Sequence, residues 1–487
     1  MDQQDVVPHG KVELAASTGD VTRRYGSTQS DGRLLPSPSP SPSQSSKAQD
    51  GDIRGYFETA QWTADGTTIL TCSSSNQISG YIVPPDLLSP KSHPLNLTPQ
   101  ATVQLPEPSN VLAGAPYFSL SEAWTNQFLV SSRDHPIQLF YLTPPTLPSP
   151  SSPPSSSPSS SPSALHHSPA SSYPLTAARS ETFQTASSLL WPSPGTHFIA
   201  GSRNLLSKFD VRRTGSEPLL RLKTIPSERH VSKGGGVGMR GIVSALGAQP
   251  PEADGASLVA AGTWTRWVGL YDFAQAGTCV ATWSVAASEA EAGDAGRGGG
   301  GIGGEGIAQT VWSPCGRYLL ISERKSRGVL VYDVRVTGRL LGWLEGREAL
   351  GNQRIQCDVF PGQEGSGGFE VWSGTSYGAV KVWEGVGSQE GAHAPGWQWD
   401  AHQSTVGSTC VHQSGSVVAT CSGSWEFPDE DGEGNQGSES GSDSSNSATD
   451  VSWMRRRNKE SSLKIWSISG GETEELTGSR EDVEALE

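Results

Sequence analysis

Residues 329–334 read VLVYDV, a short apolar strand that ends in an aromatic residue and an acid. The same figure returns as GYIV at 80–83, IQLFYL at 137–142, LSKFDV at 206–211, VGLYDF at 268–273, VKVWE at 380–384 and LKIWSI at 463–468. Seven such strands mark seven blades of a WD-type repeat. Around each, an apolar strand, a Pro/Gly turn, a second strand and a polar turn precede the aromatic-ended strand. The first turns, TADG at 63–66, PSPG at 192–195 and SPCG at 313–316, use Gly and Pro for their backbone angles. The expected fold is therefore all-β, a seven-bladed WD-repeat β-propeller with four strands per blade.

The repeat is irregular. Aromatic-to-aromatic steps run from 51 residues (Tyr332 to Trp383) to 83 (Trp383 to Trp466), against a usual unit of about 40–45, so every blade carries extra loop. Residues 1–50, which include PSPSPSPSQSS at 36–46, cannot bury enough apolar surface to offset chain entropy and are expected to be disordered. The propeller is expected over 51–470, with low-complexity insertions at about 144–172, 286–306 and 427–450, followed by an acidic disordered tail at 471–487. An isolated blade exposes two apolar faces, so the ring must close. The expected partner of the strand at 463–468 is sequence near 53–59.

Composition excludes several classes. With 487 residues, 34% hydrophobic content, 57 Gly and 34 Pro, the chain can bury a large core but not a helical one. No apolar run approaches the roughly 18 residues of a membrane helix, and MDQQD at 1–5 starts no leader, so a soluble intracellular protein is expected. The six cysteines, at 72, 279, 315, 357, 410 and 421, form no CxxC pair and read as free buried thiols. The sequon at 96–98 then has no compartment in which to act.

The net charge of −15 is concentrated. Residues 421–450 hold eight acids and no Lys or Arg, and 471–487 hold seven acids against Arg480, which leaves the rest of the chain at −1. A nearly neutral ring can carry a local basic face, so the acidic total is weak evidence against RNA.

No catalytic constellation emerges. None of the ten histidines sits in a metal-ligand spacing or beside a nucleophile, so no enzyme activity, metal, cofactor or small-molecule substrate is expected. GVGMRG at 236–241 matches the dinucleotide fingerprint but leads into an apolar strand rather than opening a helix. Asp400-Ala401-His402 reads as a buried blade histidine that orients strand ends. RGG at 297–299 is too short for a binding tract. RRRNK at 455–459 reads equally as an import signal or a counterweight to the acidic loop, and the Ser-rich acidic stretch at 438–450 as a solvated loop or a phosphorylation target.

Strand order assigns the turns to faces. The turns after the second and fourth strands of each blade share one end of the ring, here the upper rim; the turns after the first and third strands form the lower rim. The upper rim collects Arg133, His135, Arg203, Arg266, Arg354 and Tyr377, a mixture suited to phosphate contact, base-edge hydrogen bonds and stacking on a single-stranded RNA loop. Polar turn residues also tie adjacent blades together, and Trp264 and Trp267 read more readily as blade packing than as a base platform. On the lower rim two strands end in aromatic-Asp-Val-Arg, giving Asp210 with Arg212 and Asp333 with Arg335. That pattern resembles the motif by which some WD-repeat proteins dock on the adaptor of cullin–RING ubiquitin ligases.

Five stretches go beyond the generic repeat: QWTADG at 61–66 running to ILT at 69–71, YIVPPDL at 81–87, SSRDHPI at 131–137, NQRI at 352–355 and SGTSYGAV at 373–380. In these the chain resembles the telomerase Cajal body protein family over roughly residues 53–425 and the last strand. Its Ser/Pro tracts resemble those of a fungal member. The resemblance implies a WD-repeat factor associated with box H/ACA small Cajal body RNAs and telomerase RNA. The expectation is a non-catalytic RNA-binding scaffold acting in small nuclear RNP biogenesis or localisation. Its expected partners are small nuclear or H/ACA-type RNA and RNP proteins, not membranes. It is expected to be monomeric and nuclear, in nuclear bodies, with a cytoplasmic share. The alternatives are a pre-mRNA splicing scaffold and a substrate receptor of a cullin–RING ubiquitin ligase.

Overall fold

The computed structural model describes residues 10–21, 55–145, 168–177, 179–225, 239–251, 258–286, 302–362, 367–424 and 460–470. Seven separate sheets, each built on four antiparallel strands, form the blades. The aromatic-ended segments all lie in third strands: Gln77–Ile82, Ile137–Tyr141, Leu205–Asp210, Trp267–Asp272, Ser326–Asp333, Ala379–Val386 and Leu463–Gly470. Third strands are buried on both faces, which is why they read as apolar runs. Phe128 stacks on Phe140 and Phe198 on Phe209 within their blades. Continuous apolar packing then joins neighbours, with Leu70 and Ile78 of the first blade sharing one buried cluster with Phe128 and Leu139 of the second.

The turn chemistry is as read. Gly66, Gly195 and Gly316 have φ of +70°, +88° and +69°. Each donates its N–H to the residue three earlier, Thr63, Pro192 or Ser313, at 2.9 Å.

Ring closure differs from the expectation. The strand that completes the seventh blade is Gly10–Ser17, antiparallel to Leu463–Gly470 with Val12 opposite Ile468 and Leu14 opposite Trp466. Residues 10–17 are thus ordered within the span expected to be disordered. The segment expected to close the ring is instead the innermost strand of the first blade, Phe57–Trp62. The physical reason is alternation: Val12 and Leu14 point to one side, with Trp466 and Ile468, and Lys11 and Glu13 to the other, while beyond a bulge Ala16 turns to the opposite face with Ile465, so the segment offers apolar side chains that only the last blade can cover. Beyond the seam, Leu95–Asn96 adds a parallel strand to the seventh blade and Gly391–His393 adds one to the fifth.

The insertions are narrower than expected. Ser171–Tyr173 is the outer strand of the second blade and Ile302 is buried beside the fifth. Residues 146–167, 287–301, 425–459 and 471–487 lie outside the described residues, and with them RGG at 297–299, the acidic stretch at 438–450 and RRRNK at 455–459. Of the six cysteines, 72, 357, 410 and 421 are buried, whereas Cys279 and Cys315 are exposed. Cys279 lies in an outer strand, Thr278–Ser284, and Cys315 in a turn. Among the described residues no helix is long and apolar enough to cross a membrane.

Candidate nucleic-acid interface

The turns between second and third strands share a backbone device. Asn76, Asp134, Asn204, Arg266 and Lys325 take φ between +50° and +65°, and Gly378 takes +97° in the sixth blade. Left-handed residues at these sites reverse the chain tightly, aim the turn outward and suit Asn and Gly more than Arg or Lys.

These turns are linked around the upper rim by the segments that pass from one blade to the next. Arg203 bridges Ile242, while Asn204 Oδ1 accepts from Gly241 N at 2.6 Å. Trp264 N donates to Ile242 O at 3.1 Å, Arg324 N to Gly306 O at 3.0 Å and Lys325 N to Gly351 O at 3.2 Å. Leu350 N reaches Ser376 Oγ at 3.2 Å, and Thr405 Oγ1 reaches Ser376 O at 3.1 Å. The backbone of the upper rim is therefore largely satisfied from blade to blade, which leaves side chains to face outward.

The six sequence-predicted residues divide. Arg133, Arg203 and Tyr377 are exposed, Tyr377 at 67%. His135 is half-buried and its Nδ1 lies 2.7 Å from Arg133 O, which fixes the ring against its own turn. Arg266 does not reach outward as expected. Its Nε and Nη2 meet Glu323 Oε1 and Oε2 at 2.8 and 2.9 Å, a two-pronged bridge between the fourth and fifth blades. Glu323 is only 2% exposed and requires such a partner. Arg354 lies at the head of the axial channel, half-buried, with Nη2 3.1 Å from Ser244 O in the fourth blade.

The channel is lined by the innermost strands and holds a cavity of about 110 Å³, with Gln61, Ser188, Gln309 and Arg354 on its wall. Glu58 lies near Arg354. Burial pushes its carboxyl up to about 7, the Arg354 charge opposing the shift only in part. Burial likewise holds the Arg354 guanidinium below its ordinary value, Glu58 opposing that shift and Arg324 adding like-charge repulsion.

Three residues outside those six also matter here. Trp264 is not packed away: it is 44% exposed. The Arg324 guanidinium lies 4.8 Å from the centroid of that indole and its Nη2 donates to Glu305 O at 2.8 Å. Arg347, by contrast, is 1% exposed and joins the fifth and sixth blades through Glu323 O and Ser373 Oγ, each at 3.2 Å. No spacing distinguishes Arg324 from Arg347, since each is one arginine near a turn.

His402 is buried as expected. Its Nε2 is 2.8 Å from Thr420 Oγ1, which also accepts from Trp466 Nε1 at 2.8 Å, and its Nδ1 is 3.3 Å from Glu460 Oε1. Burial pushes its pKa down to about 4, against the pull of Glu460. Glu460 is held well below the usual carboxylate range although burial works against it, because His402, Lys464 and Ser462 donate to it.

On the lower rim the aromatic-Asp-Val-Arg turns are self-contained. Asp210 Oδ1 accepts from Arg212 N at 2.9 Å, and Asp333 takes the Arg335 backbone N–H at 3.0 Å together with its guanidinium. The Asp333 carboxyl sits below its usual range, chiefly through that side-chain bond. Of GVGMRG at 236–241, the first three residues lie outside the described ones; Met239 is buried and Gly241 leads into the strand Val243–Ala248. Among the described residues no group of three His, Cys, Asp or Glu side chains is placed to hold a metal ion.

No protein family's sequence profile matches the chain. It is similar to guanine nucleotide-binding protein negative regulator 1 of Schizosaccharomyces pombe, 24% identical over 354 residues that make up 72% of this chain and 76% of that protein. It is also similar to Telomerase Cajal body protein 1 of Homo sapiens, 25% identical over 389 residues, 79% of this chain and 60% of the human protein. The same protein of Bos taurus is 26% identical over 422 residues, 85% of this chain and 65% of its own length. The chain thus spans slightly less than two thirds of these mammalian relatives, and the resemblance read from residues 61–71, 81–87, 131–137, 352–355 and 373–380 is borne out.

Proposed function

We propose that this protein is a non-catalytic RNA-binding scaffold of a nuclear ribonucleoprotein, and that the upper rim is its RNA face. The observation that carries the reading is the outward exposure of Arg133, Arg203 and Tyr377 on one rim. A chain similar to Telomerase Cajal body protein 1 presents there the cations and aromatic ring that a looped single strand needs. Small nuclear or H/ACA-type RNA is the ligand in this reading, with RNP proteins as partners and nuclear bodies as the location. Arg354 contributes from the channel head, and its bond to Ser244 makes it a poor first target for mutation.

The test is binding of a small nuclear RNA by the purified full chain and by Arg133→Ala/Arg203→Ala. Removing two phosphate contacts weakens binding about tenfold or more and lowers the salt dependence, with melting unchanged. Unchanged affinity overturns the placement. The similarity to the fission-yeast guanine nucleotide-binding protein negative regulator favours a second reading, contact with a guanine nucleotide-binding protein. Co-purification of such a protein from nuclease-treated extract, with no RNA bound by the purified chain, would support that reading over the first.

A further inference from the structure

We propose that the channel head between the fourth, fifth and sixth blades captures a single unpaired nucleotide, its base on Trp264 and its phosphate at Arg324 and Arg354. The proposal rests on the RNA reading and deepens it by naming a subsite away from Arg133 and Arg203.

An indole 44% exposed at a rim would normally be covered, because a large aromatic surface is costly to hydrate. Trp264 is covered in part by the Arg324 guanidinium at 4.8 Å. A base stacked on the exposed part would lie beside that cation, an arrangement that favours nucleotides through stacking and charge together.

Arg324 is also incompletely used. Its Nη2 donates to Glu305 O at 2.8 Å, yet its Nε is buried and has no hydrogen-bond partner among the described residues. An unmet buried donor of a charged group is expensive, and an incoming phosphate oxygen is the partner that would meet it. Arg324 and Arg354 stand close enough to repel each other, with Glu58 as the acid that offsets Arg354. Two cations within reach of each other raise the positive potential that an incoming anion meets.

The chain packs closely against both Trp264 and Arg324. Gly306 has φ +134° and lies against Trp264 and Arg324, so that a Cβ there would come within 3.0 Å of Arg324 Nη2 and 2.8 Å of Trp264 O. Below the opening, the cavity of about 110 Å³ carries Arg354 and Gln61 on its wall, and Gln61 Nε2 is another buried donor without a hydrogen-bond partner. An acidic peptide would satisfy the arginines but would leave the indole unstacked, which is why a nucleotide is the better occupant.

The experiment uses the purified full chain and a short single-stranded RNA of mixed sequence carrying 4-thiouridine, with affinity measured over a salt series. Trp264→Ala is expected to weaken binding about tenfold with the salt slope unchanged, and Trp264→Tyr to recover most of it. Arg324→Gln is expected to weaken binding and lower the slope by about 0.7, the signature of one lost phosphate contact on a single strand. Crosslinks are expected in the peptide containing Trp264. Melting curves show that each variant is folded, and Arg212→Ala on the lower rim is the unchanged control. Wild-type RNA binding that neither variant alters overturns the subsite while leaving the RNA reading intact. No RNA binding by the wild type overturns both. An acidic peptide of equal charge that competes as well as RNA overturns nucleotide capture.

Discussion

The two rims of the ring use the same residue types in opposite ways. On the upper rim arginines reach across blades: Arg266 to Glu323, Arg324 over Trp264, Arg354 to Ser244. On the lower rim they remain within their own turn, as Arg335 does with Asp333 two residues away. A charge engaged locally shapes a turn. A charge engaged across a blade boundary holds two blades in register.

This contrast presupposes a closed ring, which gives the largest expected effect. Deleting residues 1–17 removes the strand that completes the seventh blade, and the account expects loss of cooperative unfolding in calorimetry, as the open edges and apolar faces are left uncovered. A truncated protein that melts as one sharp transition would contradict the seam. Next in size is Arg266→Met, which strands the 2%-exposed Glu323 carboxylate without its two-pronged partner. The expected cost is about 3–5 kcal/mol in urea unfolding.

A smaller effect tests the channel electrostatics. Burial raises Glu58 to about 7, so the folded state holds this proton more tightly than the unfolded chain does. Its contribution to stability is complete below the ordinary value of 4.5 and is lost as pH rises through about 7. Glu58→Gln should therefore stabilise the protein more at pH 8 than at pH 5, by a difference on the order of 1 kcal/mol. His402 has the opposite sign. Its pKa falls from 6.5 to about 4, so the stability it contributes is present above 6.5 and lost as pH falls towards 4, with Glu460 adding to the loss below 4.5. The smallest effect is expected on the lower rim, where Arg335→Ala should leave the urea midpoint unchanged because both partners belong to one solvated turn.

The third strands and their turns were legible because apolar runs and Gly/Pro turns are local signals. Turn order put Arg133, Arg203 and Tyr377 in equivalent turns between second and third strands, and all three are exposed there. The closing strand was missed although Val12 and Leu14 alternate with Lys11 and Glu13: the adjoining Ser/Pro composition dominated, and the partner strand lies 458 residues away at the Ser469–Lys11 contact. Pairing across blades was illegible for the same reason. Arg266 and Glu323 are 57 residues apart, and nothing in either turn marks them as partners. Trp264 was read as packing because most tryptophans of such a fold are, as Trp372, Trp383 and Trp397 are here.

The most direct test of the RNA face is to crosslink the full chain to a small nuclear RNA and map the attached peptides by mass spectrometry. The account expects them to contain Arg133, Arg203, Trp264 or Tyr377. Crosslinks confined to peptides carrying Arg212 or Arg335, on the lower rim, would contradict it.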